Sequence, residues 1–222
     1  MPVKETATQK YEESVRLFRD GNVEDAVAHL SGAIELLEAF TKEHPEDTEA
    51  KLQLARCFEQ FVRIFRAGNK QQEAEAVAEA AASIYRELAE GDPEPFGGDY
   101  AEICYAVGNL FHGSSFEKAD HFYSEALKWF AVCMETDYLK YASHAADCHN
   151  NYAVLLYYNG EPLTAEREYL QAVAICEELF RRSEPESREN LMMAYQNLSS
   201  LYFSQGRFEE GMELFKKMRE LE

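Results

Sequence analysis

His144, Asp147, Cys148 and His149 fall within six residues of one another, and His144 and Cys148, four apart, share a helical face from which two ligands could reach one metal ion. A closed site needs about four ligands. No second cluster stands at ligand spacing, so these residues are expected to serve helix packing, and no metal or other cofactor is expected. Gly113-Ser114-Ser115 lacks the strand-to-helix elbow that a nucleophilic serine requires and predicts instead a turn closed by a serine helix cap. The acidic pairs Glu177-Glu178 and Glu209-Glu210 have the spacing of solvated faces, and neither a glycine-rich phosphate loop nor a zinc-protease helix motif occurs. With these candidates set aside, the sequence predicts a protein that is not an enzyme.

The remaining residue types suit recognition. Arg56, Arg63 and Arg66, seven and three apart, keep to one helical face, and guanidinium forks match carboxylates. They could receive an acidic side chain or a C-terminal carboxylate, or Glu59 and other acidic neighbours could neutralise them. Aromatic residues recur two or three positions before a glycine, as Phe18, Phe111, Tyr157 and Phe203, with Tyr105 and Tyr158 close by. Rigid rings bury large areas at low entropic cost, which suits them to anchoring a partner. Asn150, Asn151 and Asn197 add neutral groups that both donate and accept hydrogen bonds.

The elements that position these residues follow from a repeat. Gly21, Gly68, Gly113, Gly160 and Gly206 are spaced 47, 45, 47 and 46 apart. A small residue follows each: Ala26, Ala74, Ala119, Ala165 and Gly211. Four residues on stand Leu30, Ala78, Tyr123, Tyr169 and Phe215, and three further Ala33, Ala81, Ala126, Ala172 and Met218. Small residues seven apart form a helical stripe that lets a neighbouring helix approach closely. Twelve residues before each small one lie Ser14, Val62, Val107, Ala153 and Ser199, which pairs the narrow points of two antiparallel helices across the glycine turn. Pro45, Pro93, Pro95 and Pro185 fall at junctions between units and Pro162 at the first turn of a helix, so no proline breaks an interior. Strand signals are absent. The units run roughly over 6–45, 46–95, 96–136, 137–184 and 185–222, five helical hairpins in a single repeat domain.

Tyr195-x2-Leu198-Ser199-x2-Tyr202 followed by Gly206, Phe208, Gly211 and Phe215 resembles the tetratricopeptide signature. Asn150-Asn151-Tyr152-Ala153-x2-Leu156 with Gly160, Ala165, Tyr169 and Ala172 resembles it too. The period of about 46 residues rather than 34 is similar to the long-repeat branch that includes kinesin light chain. The resemblance implies an all-α, right-handed superhelix of ten helices, with the first helix of each hairpin lining the concave side. It places Asn150, Asn151, Val154, Tyr157 and Tyr158 of the fourth unit on that side, and Gln196, Asn197, Ser200, Phe203 and Ser204 of the fifth. Cys104, Tyr105, Gly108, Phe111 and His112 of the third and Arg56, Arg63 and Arg66 of the second join them. The asparagines there either meet an extended peptide or bond one another, and the rings either meet a partner or pack between neighbouring helices.

Composition bounds the partner. The chain has 222 residues, 22 Lys and Arg against 41 Asp and Glu, and a net charge of −19 spread over every quarter of its length. Such a surface repels phosphate backbones and anionic lipid, so neither nucleic acid nor membrane is expected, and a neutral or basic protein or peptide is. No signal-peptide or membrane-spanning stretch occurs. Five cysteines at least 15 residues apart suit buried thiols in a reducing compartment, which predicts a cytoplasmic protein. The predicted function is a protein- or peptide-binding adaptor or scaffold; a ligand-responsive regulator whose superhelix changes pitch is the alternative. At the last helix, the slot held by Ile34, Ala82, Leu127 and Val173 in earlier units carries Arg219, while Phe208, Met212 and Phe215 stay apolar. A weak two-fold dimer through that helix and a monomer with a frayed end are both open.

Overall fold

The computed structural model describes residues 2–183 and 187–221; Pro185 lies outside them. Among the described residues the chain forms ten α-helices and no strand. They are α1 (Val3–Arg19), α2 (Val23–Glu43), α3 (Thr48–Ala67), α4 (Gln71–Gly91), α5 (Pro93–Phe111), α6 (Phe116–Thr136), α7 (Tyr138–Tyr158), α8 (Pro162–Ser183), α9 (Arg188–Ser204) and α10 (Phe208–Glu220). None of these helices is long and apolar enough to cross a membrane. They pair as five hairpins, and the chain divides into two compact units, Met1–Ile103 and Cys104–Glu222.

Three of the five hairpin turns explain their glycine by its conformation, while the turn at Gly113 contains no left-handed residue. Gly21, Gly160 and Gly206 adopt φ of +82°, +84° and +75°. In each turn the glycine N–H bonds back three residues and the next N–H bonds back five, as Glu161 does to the Leu156 carbonyl at 2.9 Å. That ending needs a left-handed residue, which glycine supplies without steric cost. In the second hairpin the same ending slides one residue along: Gly68 has φ −87° and Asn69 takes φ +57°. Asparagine is among the few side chains that tolerate this conformation. Helix starts are capped where the sequence allows. Asp47 accepts from the Ala50 N–H at 2.9 Å, and Ser115 accepts from the Lys118 N–H at 3.4 Å, as expected of the Gly113-Ser114-Ser115 turn. Pro93 and Pro95 sit inside the first turn of α5 rather than before it, where the missing N–H groups have no intrahelical partner to lose.

The stripe of small residues is the hairpin seam. Ala26, Ala74, Ala119 and Ala165 are fully buried, and so are Ser14, Val107, Ala153 and Ser199 opposite the corresponding stripes. In the first unit Leu30, Ala33 and Leu37 of α2 pack on Ala7 of α1 and on Leu54, Cys57 and Ile64 of α3. In the second, Leu156, Tyr169, Val173, Leu198 and Leu201 form the corresponding core. The last helix departs from the pattern: Leu214, not Phe215, is the buried residue, and Phe208, Met212 and Phe215 are exposed together with Arg219. All five cysteines are buried and none is in a disulfide, and burial pushes the thiols of Cys57 and Cys176 up to about 12.

Candidate functional site

In the second unit α7 and α9 meet along a polar seam. Ser143, Asn150 and Tyr157 stand seven apart on α7, and Asn190, Asn197 and Ser204 stand seven apart on α9. Side chains at i, i+7 and i+14 lie on one helical stripe, so the two sets can face each other rung by rung. Asn190 donates to Ser143 at 2.8 Å, Asn197 donates to the Asn150 carboxamide oxygen at 3.3 Å, and the Tyr157 hydroxyl donates to Ser204 at 3.3 Å. Each rung spans 47 residues. Asn150 is buried, so Asn197 satisfies a carboxamide that would otherwise be desolvated without a partner.

Beside the last rung the seam opens into a cavity of about 200 Å³. Three tyrosines line it: Tyr157 and Tyr158 at its mouth, 38% and 82% exposed, and Tyr169 of α8 as its floor, 7% exposed. Asn197, Ser200 and Ser204 supply neutral polar groups, and Val154 and Leu201 complete the wall. The Tyr157 and Tyr158 rings lie edge to face, 5.7 Å apart. Burial, with the neighbouring Tyr158 and Tyr157 hydroxyls, pushes the Tyr169 phenol up to about 12. No charged side chain lines it. It presents aromatic rings among neutral hydrogen-bond donors and acceptors.

The other expected site residues divide. Asn151 belongs to a second polar knot: it donates to Asn109 at 2.7 Å and to the Tyr105 hydroxyl at 3.0 Å. The Tyr123 hydroxyl also donates to Asn109, at 2.8 Å, and lies 3.0 Å from His112 Nδ1. Asn151 and Tyr105 therefore tie α5 to α7, and the half-buried Tyr105 offers only part of its surface. Two phenylalanines expected on the concave face turn back onto their own hairpins. Phe111 is buried and stacks on Phe122 of α6 at 6.1 Å with planes 5° apart. Phe203 lies over Gly211 of α10, where a Cβ would come within 2.6 Å of its ring. Tyr157, in the corresponding slot, gives its hydroxyl to Ser204 of α9 and keeps its ring at the surface. Phe111 and Asn150, both buried, are withdrawn from the contact surface.

In the first unit Arg56, Arg63 and Arg66 are exposed on α3, and none of the three makes an ion pair among the described residues. Glu59 does not neutralise them by contact; it accepts from the Tyr85 hydroxyl at 2.5 Å. Arg56 borders a cavity of about 200 Å³ with Thr8, Tyr11, Glu12 and Gln53. Burial raises the Tyr11 phenol, against the pull of Arg63 and Arg56. The histidine–cysteine cluster on α7 is dispersed: Cys148 is buried against the Tyr123 carbonyl, His149 pairs with Glu168 at 2.8 Å, and His144 lies against Phe130. Among the described residues no three His, Cys, Asp or Glu side chains gather around a common point.

Tyr169 was not legible as a site residue, because it comes from the second helix of a hairpin while helical-face arguments select the first. Asn109 was missed for the same reason as the knot itself: nothing in spacing says which neighbour an asparagine chooses.

Residues 191–221 match the tetratricopeptide repeat family. No curated protein is significantly similar in sequence. The fold resembles a putative kinesin light chain with nearly identical TPR-like repeats from Podosopora anserina, at TM-score 0.68 and 16% identity over 100% of this chain and 96% of that one. It also resembles BtubC (BKLC) from P. vanneervenii, at TM-score 0.60 and 18% identity over 100% and 91%. The apo form of RapI aligns at TM-score 0.66 and 17% identity over 97% of this chain and 53% of its own. The fold is that of a tetratricopeptide-repeat protein, and the last hairpin carries the family's own sequence signature.

Proposed function

We propose that the chain is a non-enzymatic adaptor or scaffold that holds a peptide or protein segment, and that the α7–α9 pocket is its principal contact. The observation that supports this most strongly is the pocket's make-up: exposed Tyr157 and Tyr158 over a buried Tyr169, flanked by neutral Asn197, Ser200 and Ser204. Large exposed rings at a concave opening are where binding energy concentrates. Arg56, Arg63 and Arg66 form a separate contact, on the first unit, for carboxylates of the partner. The net charge of −19 favours a partner that is neutral or basic overall, and five buried cysteines outside any disulfide suit a cytoplasmic setting. Self-association through Phe208, Met212 and Phe215 is a separate question, read by sedimentation over a hundredfold concentration range with Met212→Glu as control.

The test is capture of a partner from the native source by the wild-type chain, followed by direct titration of that partner. Tyr158→Ala should weaken binding about tenfold or more while leaving the melting temperature within about 1 °C, since an exposed side chain carries little stability. Unchanged affinity in Tyr158→Ala and Ser200→Arg alike excludes the pocket.

A further inference from the structure

The ten tyrosines of the second unit differ in what faces their rings. Four have one of the chain's own cations over the ring: Tyr138 has Arg182 at 4.4 Å, Tyr141 has Lys140 at 4.6 Å, Tyr202 has Arg207 at 4.0 Å and Tyr195 has Lys217 at 5.7 Å. Tyr105, Tyr123 and Tyr152 have none, but their hydroxyls are tied to Asn151, Asn109 and Asp120; the three that line the pocket also have none among the described residues, and two of them stand at an open mouth. We propose that the pocket receives a lysine or arginine side chain of the partner, held among the rings of Tyr157, Tyr158 and Tyr169. The proposal rests on the pocket being the docking site and adds the class of side chain that enters it.

The geometry suits a cation. Attraction to an aromatic face operates within about 6 Å of the ring centre. The Tyr157 and Tyr158 rings touch edge to face at 5.7 Å, so an ammonium sits beside the pair, over a ring face that the other tyrosine leaves open, rather than between them. Tyr169 closes the floor, and at about 200 Å³ the cavity has the volume of roughly seven water molecules, room for the aliphatic stem of lysine. Asn197, Ser200 and Ser204 offer oxygen acceptors to the ammonium protons. The surrounding field has the right sign: residues 104–222 carry 19 Asp and Glu against 11 Lys and Arg. No carboxylate lines the pocket, so rings and neutral oxygens rather than an ion pair are what hold the cation.

Two capped pentapeptides, Gly-Gly-Lys-Gly-Gly and the same sequence with norleucine, decide the matter when titrated into protein carrying 13C-labelled tyrosine rings and followed by NMR. The proposal expects saturable shifts at Tyr157, Tyr158 and Tyr169, with the lysine peptide bound at least fivefold more tightly. Tyr158→Leu, which keeps apolar bulk at an exposed position, should reduce that preference at least threefold, and Ser200→Arg should abolish lysine binding by seating a resident cation. Equal or tighter binding of the norleucine peptide overturns the proposal while leaving the pocket as a docking site. A lysine preference that survives Tyr158→Leu also overturns it, because the charge is then sensed elsewhere. Absence of ring shifts with both peptides overturns the proposal and the docking site together.

Discussion

Gly108→Ala tests the packing that sets the position of α5 against its own hairpin. Judged as a helix-interior substitution it should stabilise the chain, since glycine costs about 1 kcal/mol relative to alanine there. The structure predicts the opposite sign. A Cβ on Gly108 would stand 2.7 Å from Cδ1 and 2.8 Å from Cε1 of Tyr123. The ring is not a loose end that can swing aside. Tyr123 is fully buried, its hydroxyl bonds to Asn109 and touches His112, and the Tyr152 and Tyr105 rings stand 5.7 and 6.3 Å away. Overpacking of this kind costs about 1–3 kcal/mol. Offset by the helical gain, the net loss is about 1 kcal/mol and no more than about 2, a fall of roughly 2–8 °C in melting temperature for a chain of this size. Gly91→Ala, with nothing within 4 Å of its added Cβ, is the control and should be neutral or slightly stabilising. Thermal and urea unfolding of both variants provide the measurement. A Gly108→Ala protein as stable as wild type or more so refutes the packing argument.

Gly211→Ala should behave similarly and expel Phe203 from α10, which ring-resolved NMR or a fluorescent reporter at position 203 would register. Asn197→Ala leaves the buried Asn150 oxygen without its donor and should cost about 1–3 kcal/mol, with a double-mutant cycle against Asn150→Ala returning a coupling above about 0.5 kcal/mol in urea titrations. Glu168 is buried, which alone would raise its pKa, but the hydrogen bond from His149 and the His149 and Arg167 charges hold it below the ordinary carboxylate value. Its folded pKa is depressed, so its contribution is present above the unfolded value near 4.3 and is lost as pH falls through the folded value. Glu168→Gln should therefore flatten the loss of stability below about pH 5, measured as urea midpoint against pH.

The hairpins were legible because their signals are steric and local. A left-handed turn demands glycine, a close helix approach demands alanine, and a proline cannot sit in an interior. The second turn obeys the same rule, for Asn69 takes over where Gly68 does not, whereas the third, at Gly113, closes without a left-handed residue. The site was legible only in part. Helical spacing identified the face carrying Tyr157, Tyr158, Asn197, Ser200 and Ser204, and these do meet at one pocket. It could not say that Asn151 and Asn197 spend their donors on neighbouring helices, because a carboxamide bonds equally well to a peptide or to another carboxamide. Nor could it separate Tyr157 from Phe111 and Phe203. All three fill one repeat slot, yet Phe111 stacks on Phe122, Phe203 lies over Gly211 and Tyr157 bonds to Ser204, choices that spacing does not encode. The seam itself hid behind a one-residue offset: the turn glycines Gly160 and Gly206 stand 46 apart, while the rungs between α7 and α9 join residues 47 apart.

The most direct test of the proposed function is site-specific photocrosslinking in the native source. p-Benzoylphenylalanine replaces Tyr158 at the pocket in one protein and Val132, exposed on α6, in another. The adaptor reading predicts a discrete adduct with one partner from position 158, mapping to a short partner segment, and none from position 132. No adduct at 158, or the same partner captured equally at 132, would contradict it.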